Sequence, residues 1–312
     1  MRRHEVMDLS VSTMSDAIPS RRTFCKFGGS VILFSSLLFS GARAASGSTS
    51  ILSAPIELEG SWGSSLPESA LRVVTRMRDV CLAGVDLVSD RQPARIRIDD
   101  HSSGPPSIWL HDDPPQTAWI IVDIGGRAWC QLAYQFGHEL GHVLCNSWER
   151  SARPQPPCQW LEESLVEAFS IRGLGLLATS WEQSPPFSGD NGYAAAIRQY
   201  RQNVIDKYAK AVDRNTYTDL GDWLRKARST LEKPGVGLNP LEGPAILAIL
   251  AELEGDTACV ADMGALNRWP RRSAVAIEDY LNLWEASCSE CRAAGRLPAA
   301  LRTLFRLNGG TK

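Results

Sequence analysis

The feature that most constrains this chain is a pair of histidines in a mostly apolar run. Residues 137–142 read Gly-His-Glu-Leu-Gly-His, so His138 and His142 are four positions apart. Side chains with this spacing lie one above the other on the same face of a helix. The pattern therefore predicts a helix that directs two imidazoles toward one point in space, which is the outline of a metal site.

A carboxylate lies beside this pair. Glu139 follows His138 by one position, so it projects about 100° further round the helix. From there it can reach a water on the metal without being a ligand itself. Two neutral imidazoles, a nearby carboxylate and an incomplete ligand shell are typical of one zinc ion kept open for catalysis. The alternative is an amphipathic helix whose histidines share a face by coincidence.

A third ligand is expected from a second helix-like segment, residues 160–170, which follows a proline-rich loop and contains no glycine or proline. Glu163 lies 21 residues after His142, and Glu167 follows one helical turn later. Glu162 is the competing ligand, but it shares a helix face with apolar residues that are expected in the core. A solvated acidic helix face is the alternative explanation of all three glutamates.

Together these residues resemble the gluzincin metallopeptidases, the thermolysin-like class with two histidines on one helix and a glutamate on the next. The resemblance covers about residues 117–172. It implies that Glu163 is the third zinc ligand and that Glu167 hydrogen-bonds a liganding histidine. It also implies hydrolysis of a peptide or protein substrate, with Glu139 as the general base.

Enzymes of this class stabilise the negative oxygen of the tetrahedral intermediate with a tyrosine or histidine from beyond the ligand helices. No histidine follows His142, so tyrosines are the candidates. They are Tyr193, Tyr200, Tyr208 and Tyr217. All four, with Tyr193 first, are candidates by location only, and a tyrosine in such a segment is more often a residue that packs between helices than a catalytic donor.

Residues 1–44 predict an export signal. Ser20–Lys26 contains two arginines in a twin-arginine motif, Val31–Phe39 is apolar, and Ala42–Ala44 resembles a cleavage site. The apolar run is shorter than the about 20 residues that a membrane anchor needs. We expect a bacterial protein that uses the twin-arginine export machinery, becomes periplasmic or secreted, and keeps no stable membrane anchor. An uncleaved signal anchor is the alternative.

The charge of the chain argues against nucleic acid as a partner. Removal of residues 1–44 takes six of 33 Lys and Arg and three of 35 Asp and Glu, which leaves a formal charge of about −5. The remaining sequence shows no basic cluster and no glycine-rich phosphate loop.

Seven cysteines remain after removal of the signal, and export would bring them into an oxidising compartment. Cys145 and Cys158 stand at the two ends of the proline-rich loop. We predict a disulfide between them, which would hold the two ligand-bearing helices together, with two buried free thiols as the alternative. A local disulfide between Cys288 and Cys291, or one from this pair to Cys259, is also predicted.

The predicted fold class is α+β. A small, mostly antiparallel sheet is expected to pack on the helix of the histidines, followed by a predominantly helical C-terminal lobe. Residues 45–185 would form the zincin-like catalytic region and residues 186–312 the helical region. Strands are expected at 94–98, 107–111 and 119–123. The resemblance to the gluzincins also implies an edge strand that pairs with the extended substrate, and Trp119–Asp123 is the candidate for it. An ordinary buried strand is the alternative.

The sequence therefore predicts an exported zinc metallopeptidase. Two other functions stay open. One is a catalytically inactive binding or scaffold protein of the periplasm that keeps the peptidase fold. The other is a zinc amidase that acts on cell-wall peptides.

Overall fold

The computed structural model describes residues 51–62, 66–85, 91–101, 104–124, 128–190, 192–211, 216–234 and 238–307. The predicted export signal at residues 1–44 lies outside the described residues. Within those ranges, no helix combines the length and the apolar character that crossing a membrane requires.

The sheet has four strands in the order β1-β2-β4-β3. They are β1 (Ile56–Gly60), β2 (Arg95–Asp100), β3 (Ser107–Ile108) and β4 (Thr117–Val122). β1 with β2 and β2 with β4 are parallel, and only β3 with β4 is antiparallel. The prediction of a mostly antiparallel sheet is therefore wrong. The reason is helix α1 (Pro67–Leu82), which connects β1 to β2 as the long crossover that parallel neighbours need.

The strand before the histidine helix lies inside the sheet. β3 pairs with β4 through Ile108 opposite Ile120 and Ser107 opposite Ile121. The Trp109 backbone N–H then donates to the carbonyl of Trp119 at 2.8 Å. The prediction that residues 119–123 form a free edge is wrong, because β2 and β3 flank this strand. The alternative of a buried strand describes it better.

Most of the rest of the described chain is helical, which confirms the predicted α+β class and the mainly helical C-terminal part. After α1, the helices are α2 (Trp129–Leu144), α3 (Gln159–Gln183), α4 (Tyr193–Ala211), α5 (Leu220–Leu231), α6 (Gly243–Gly255), α7 (Ala258–Met263), α8 (Ile277–Cys291) and α9 (Arg296–Leu304). Short 3-10 turns at Arg150–Ala152 and Pro240–Glu242 precede α3 and α6.

Helix α3 lies at the centre of the molecule. It is buried along most of its length, and it contacts α1, α2, α4 and α6. Its tryptophans Trp160 and Trp181 are among the largest fully buried side chains. One hydrophobic cluster runs from Ile51 to Phe305 and includes residues from both predicted regions. The boundary near residue 185, two residues after α3 ends, stays a prediction.

The described cysteines are free thiols, so the predicted disulfides are wrong. The Cys158 thiol donates instead to the carbonyl of Val275 at 3.1 Å. Next to Cys145, the Asn146 side chain donates to the carbonyl of Gly264 at 2.9 Å and to a second carbonyl two residues on. These hydrogen bonds join the α2–α3 connection to the segment 264–275. Cys145 and Cys158, at the two ends of the connection, therefore have different neighbours.

Candidate metal centre

Two glycines allow the ligand-bearing helices to pack closely. A Cβ built at Gly141 would lie 2.8 Å from Cβ of Val166 on α3, and one at Gly137 would lie 2.9 Å from Oγ of Ser170. The Ser170 hydroxyl also donates to the backbone carbonyl of Tyr134 on α2 at 2.7 Å. The absence of side chains at 137 and 141 therefore brings the carboxylates of α3 within reach of the histidines.

The three predicted ligands meet at the contact between α2 and α3. His138, His142 and Glu163 each offer one ligand atom, and these atoms all lie within 4.8 Å of one another. Oε2 of Glu163 is 3.4 Å from Nε2 of His138 and 3.6 Å from Nε2 of His142. All three residues are well shielded, with His142 and Glu163 buried. The chain thus contains a His-His-Glu group with the composition of a metal site.

A carboxylate lies beside Nδ1 of each histidine, the ring nitrogen that does not face Glu163. Nδ1 of His138 lies 2.9 Å from Oε2 of Glu167, and Nδ1 of His142 lies 3.0 Å from Oε1 of Glu162. An ionised carboxylate only accepts hydrogen bonds, so each pair assigns the imidazole proton to Nδ1. In a neutral ring, each Nε2 would then carry the lone pair that a metal ion needs, on the side of the ring that faces Glu163.

Further hydrogen bonds hold these two carboxylates in place. The hydroxyls of Tyr134 and Tyr208 both donate to Oε1 of Glu167, the second at 2.9 Å. Asn267 donates from Nδ2 to Oε2 of Glu162 at 2.7 Å. Supports of this kind fix the direction of a liganding imidazole. Sequence reasoning missed all three donors as supports, although Tyr134 precedes His138 by one helical turn and that spacing was a usable signal.

The geometry and the donor set fit a zinc ion. Zinc–nitrogen and zinc–oxygen bonds of about 2.1 Å at tetrahedral angles place neighbouring ligand atoms about 3.4 Å apart. The two distances from Oε2 of Glu163 to the imidazole nitrogens are 3.4 and 3.6 Å. Nε2 of His142 is also a buried nitrogen with no hydrogen-bond partner among the described residues. A cation between these three atoms would satisfy it.

The electrostatics of the metal-free site favour protonated histidines. Burial alone lowers the pKa of both imidazoles, but the neighbouring carboxylates outweigh it. Glu163 and Glu167 raise the pKa of His138 to about 9, and Glu162 and Glu163 raise the pKa of His142 to about 10. Near neutral pH, a metal ion must therefore displace protons from both rings.

We expect zinc binding at pH 7 to release about two protons, because both imidazoles must become neutral. Zinc affinity should rise steeply from pH 6 to 8 and level off only above the pKa values of about 9 and about 10. In the metal-free protein, the stabilisation from these raised pKa values is complete below about pH 6.5 and is lost as pH rises through 9 to 10. Calorimetry in buffers of different ionisation enthalpy counts the protons, and a release near zero at pH 7 would contradict this assignment.

Glu139 is the remaining carboxylate of the histidine motif. It is buried, with 2 % of its surface exposed. Its charge is close enough to help raise the pKa of His138. Its predicted role as a general base stays a prediction.

A further buried acid lies near the centre and was not recognised in the sequence. Glu242, in the turn before α6, is fully buried and accepts a long 3.4 Å hydrogen bond from the Ser164 hydroxyl. Burial, and next the charge of Glu163, raise the pKa of Glu242 to about 10. Glu242 is therefore protonated at neutral pH, and it adds no negative charge to the centre.

The candidate oxyanion donor Tyr193 lies away from the histidines. Its hydroxyl accepts a hydrogen bond from the backbone N–H of Cys130 at 3.1 Å, and its ring packs against Trp181 with centroids 5.1 Å apart. Cys130 precedes His138 by eight residues, which is about 12 Å along a helix. The position of Tyr193 is that of a residue that packs between helices. The hydroxyl of Tyr208 already donates to Glu167. The donor stays unassigned.

We expect Gly141→Ala to weaken zinc binding more than about tenfold. The new Cβ would lie 2.8 Å from Cβ of Val166 and 3.1 Å from its Cα, so α2 and α3 must separate and Glu163 must withdraw. Overpacking of this kind costs about 1–3 kcal/mol and opposes a gain in helix propensity of about 1 kcal/mol. Competition with a chromophoric chelator measures the zinc affinity.

The matched control for this variant is Gly175→Ala on α3. A Cβ there meets the side chain of Arg201, with Nε at 3.2 Å and no backbone atom among the nearest contacts, so a shift of a few tenths of an ångström relieves the contact. Zinc affinity should be unchanged in the control. Equal affinity in the parent protein and in Gly141→Ala would show that close helix packing does not build the site.

In comparisons with known proteins, the chain matches no protein-family model, no curated protein and no solved structure. The geometry of the group itself is therefore what supports its interpretation: two histidines and one glutamate that could hold one metal ion.

Proposed function

We propose that this protein is a zinc-dependent metallopeptidase of the gluzincin type. His138, His142 and Glu163 would hold one zinc ion, and Glu139 would act as the general base. The observation that carries the proposal is the convergence of the three ligand atoms, with a carboxylate behind each imidazole. A histidine pair that served only the core would need no such arrangement of buried acids.

Zinc held by three protein ligands lowers the pKa of water toward about 7 and polarises a carbonyl group. The chain's own residues supply the proton transfers. Glu139 would take a proton from the attacking water and pass it to the leaving amine as the carbon–nitrogen bond breaks. Glu139 is only slightly exposed, so its carboxylate is shielded from bulk solvent. Electrostatic interactions are stronger in such a shielded environment than in water.

Glu162 and Glu167 would act through the histidines and not on the substrate. Each keeps a proton on Nδ1 and so presents Nε2 as the ligand atom. Asn267 and Tyr208 then restrict how far the two carboxylates can turn.

The test of this proposal is hydrolysis of an unstructured protein by the purified chain, with zinc measured by mass spectrometry. We expect about one zinc per chain, and cleavage that a chelator abolishes and zinc restores. Cleavage of muropeptides alone would identify an amidase of cell-wall peptides. Full zinc occupancy without hydrolysis of either substrate would identify a binding or scaffold protein.

We further propose that the protein is exported in bacteria through the twin-arginine route. The support is the order of the motif, apolar run and cleavage site in residues 1–44. Cell fractionation with N-terminal sequencing tests it. A mature chain that begins at Ala45 in the periplasm or medium is expected, and an intact cytoplasmic chain would refute export.

A further inference from the structure

A segment of the helical region, residues 264–275, lies against the connection between α2 and α3. The backbone N–H of Cys158 donates to the carbonyl of Ser273 at 3.0 Å, and that of Gln155 donates to the Ser273 hydroxyl at 2.8 Å. The Arg272 guanidinium donates to the carbonyl of Asn146. Because this connection joins the two ligand-bearing helices, a residue on the segment can act on the metal centre.

Asn267 joins this segment to the metal centre. It is fully buried, and its Nδ2 lies 2.7 Å from Oε2 of Glu162, 3.0 Å from Oγ of Ser147 and 3.3 Å from the carbonyl oxygen of Cys145. A carboxylate and a carbonyl only accept hydrogen bonds, so the amide nitrogen and not the amide oxygen must face them. The shortest of the three contacts is the one to the charged carboxylate, which is the strongest acceptor of the three.

The residue type at position 267 suits this role. The φ angle of Asn267 is 57°, in the left-handed region where glycine, asparagine and aspartate are the usual residues. Of these three, glycine has no side-chain donor, and an ionised aspartate would place a second negative charge against Glu162. Asparagine accepts this backbone conformation and also donates to a carboxylate.

Glu162 carries the effect of Asn267 to a ligand. Its Oε1 lies 3.0 Å from Nδ1 of His142, while its Oε2 is the oxygen that Asn267 holds. Hydrogen bonds at both oxygens fix the plane of the carboxylate and thereby the direction of the imidazole ring. Burial lowers the pKa of the Arg272 guanidinium, and the charge of Glu162 opposes this effect. The segment therefore also brings a positive charge near the same carboxylate.

We propose that the segment 264–275 sets the affinity of the metal centre through Asn267, which is a positioning residue for His142 and not for His138. This role rests on the proposed zinc site and deepens it, because the control of one ligand then lies 105 residues from Glu162. A competing route runs through the backbone, since Asn267 also contacts Ser147, whose N–H donates to the carbonyl of His142 at 2.9 Å. The two routes predict different results when the Glu162 carboxylate is removed.

The test is a double-mutant cycle on zinc affinity, measured on the full metal-free chain by competition with a chromophoric chelator. Asn267→Gly removes the amide and keeps a residue that accepts the positive φ angle. It should weaken zinc binding about tenfold, the lower end of the effect of groups that hold a liganding imidazole. In a Glu162→Ala background, the same change should cost less than about twofold, because its path to His142 is gone. The backbone route predicts the same loss with and without Glu162.

The matched control uses the other supporting glutamate. Glu167 lies beside Nδ1 of His138, and the Tyr208 hydroxyl donates to it at 2.9 Å. In a Glu167→Ala background, Asn267→Gly should keep its full effect on zinc affinity. Tyr208→Phe should show the reverse pattern, with a loss in the parent and in Glu162→Ala but none in Glu167→Ala. A residue that only stabilises the fold would weaken zinc binding by the same factor in every background.

Thermal melting of the metal-free variants verifies that they fold. Asn267→Ala is a second variant that removes the amide, and it should give the same pattern, because the strain of its Cβ at a positive φ angle is present with and without zinc. The proposal is overturned if folded Asn267→Gly binds zinc like the parent, or if its loss is equal with and without Glu162. A parent that binds no zinc would overturn both this role and the metal centre. Peptide cleavage is not measured, so a protein that binds zinc without hydrolysing peptides would refute the peptidase and leave this role to stand or fall by the cycle.

Discussion

Glu139→Gln is expected to lower kcat/KM for peptide hydrolysis by about 10²–10⁴-fold, the usual contribution of a general base, while about one zinc per chain is retained. The glutamine amide keeps the shape of the side chain but cannot accept a proton from water. Because Glu139 is not among the three clustered ligand atoms, the metal should stay bound. Steady-state kinetics on a quenched fluorescent peptide library, together with the zinc content, measures both effects.

The control for this variant is Glu149→Gln, which removes one charge from an exposed glutamate five residues beyond the end of α2. Its kinetics should match those of the parent. If Glu139→Gln cleaves peptides at the parent rate, Glu139 is not the base. If it loses zinc as well as activity, its role is to hold the site together.

Glu163→Gln is expected to lower zinc affinity by about 10²–10³-fold. Zinc bound by four ligands gains about 10–16 kcal/mol, so each ligand accounts for a few kcal/mol on average. Glu163 is the carboxylate within 3.6 Å of both Nε2 atoms. Glutamine keeps a carbonyl oxygen there but loses the negative charge.

A graded series of variants distinguishes the ligand from its supports. Glu162→Gln and Glu167→Gln should each cost about 10–100-fold in zinc affinity, as is usual for groups that hold a liganding imidazole. Glu149→Gln should cost nothing. If Glu162→Gln were more harmful than Glu163→Gln, the ligand assignment would be reversed.

The convergence of His138, His142 and Glu163 was predictable because the spacings that produce it are local. The spacing of His138 and His142, and of Glu163 and Glu167, follows from the turns of single helices. The choice between Glu162 and Glu163 was harder, since consecutive residues differ by only about 100° around a helix. The structure places Glu163 between the Nε2 atoms and Glu162 on Nδ1 of His142.

The supports of the centre come from distant parts of the chain. Asn267 is 105 residues from Glu162, and Tyr208 is 41 residues from Glu167. No local pattern marks such partners, because only the packing of α3 against its neighbours brings them together. Glu242, which is buried beside the centre, was missed for the same reason.

The sheet was mispredicted for a different reason. The alternation of apolar and acidic residues in Ile56–Glu59 was a usable strand signal, and it was overlooked. With β1 included, α1 becomes a crossover between two strands, and parallel pairing follows. The disulfide prediction failed because sequence position alone does not fix where two thiols point.

The most direct test of the central claim is a crystal structure of the zinc-loaded protein with an anomalous difference map recorded at the zinc edge. We predict one strong peak within about 2.2 Å of Nε2 of His138, Nε2 of His142 and a carboxylate oxygen of Glu163. A map without a peak at these three atoms, or with zinc bound elsewhere on the chain, would contradict the proposed metal centre and the peptidase mechanism built on it.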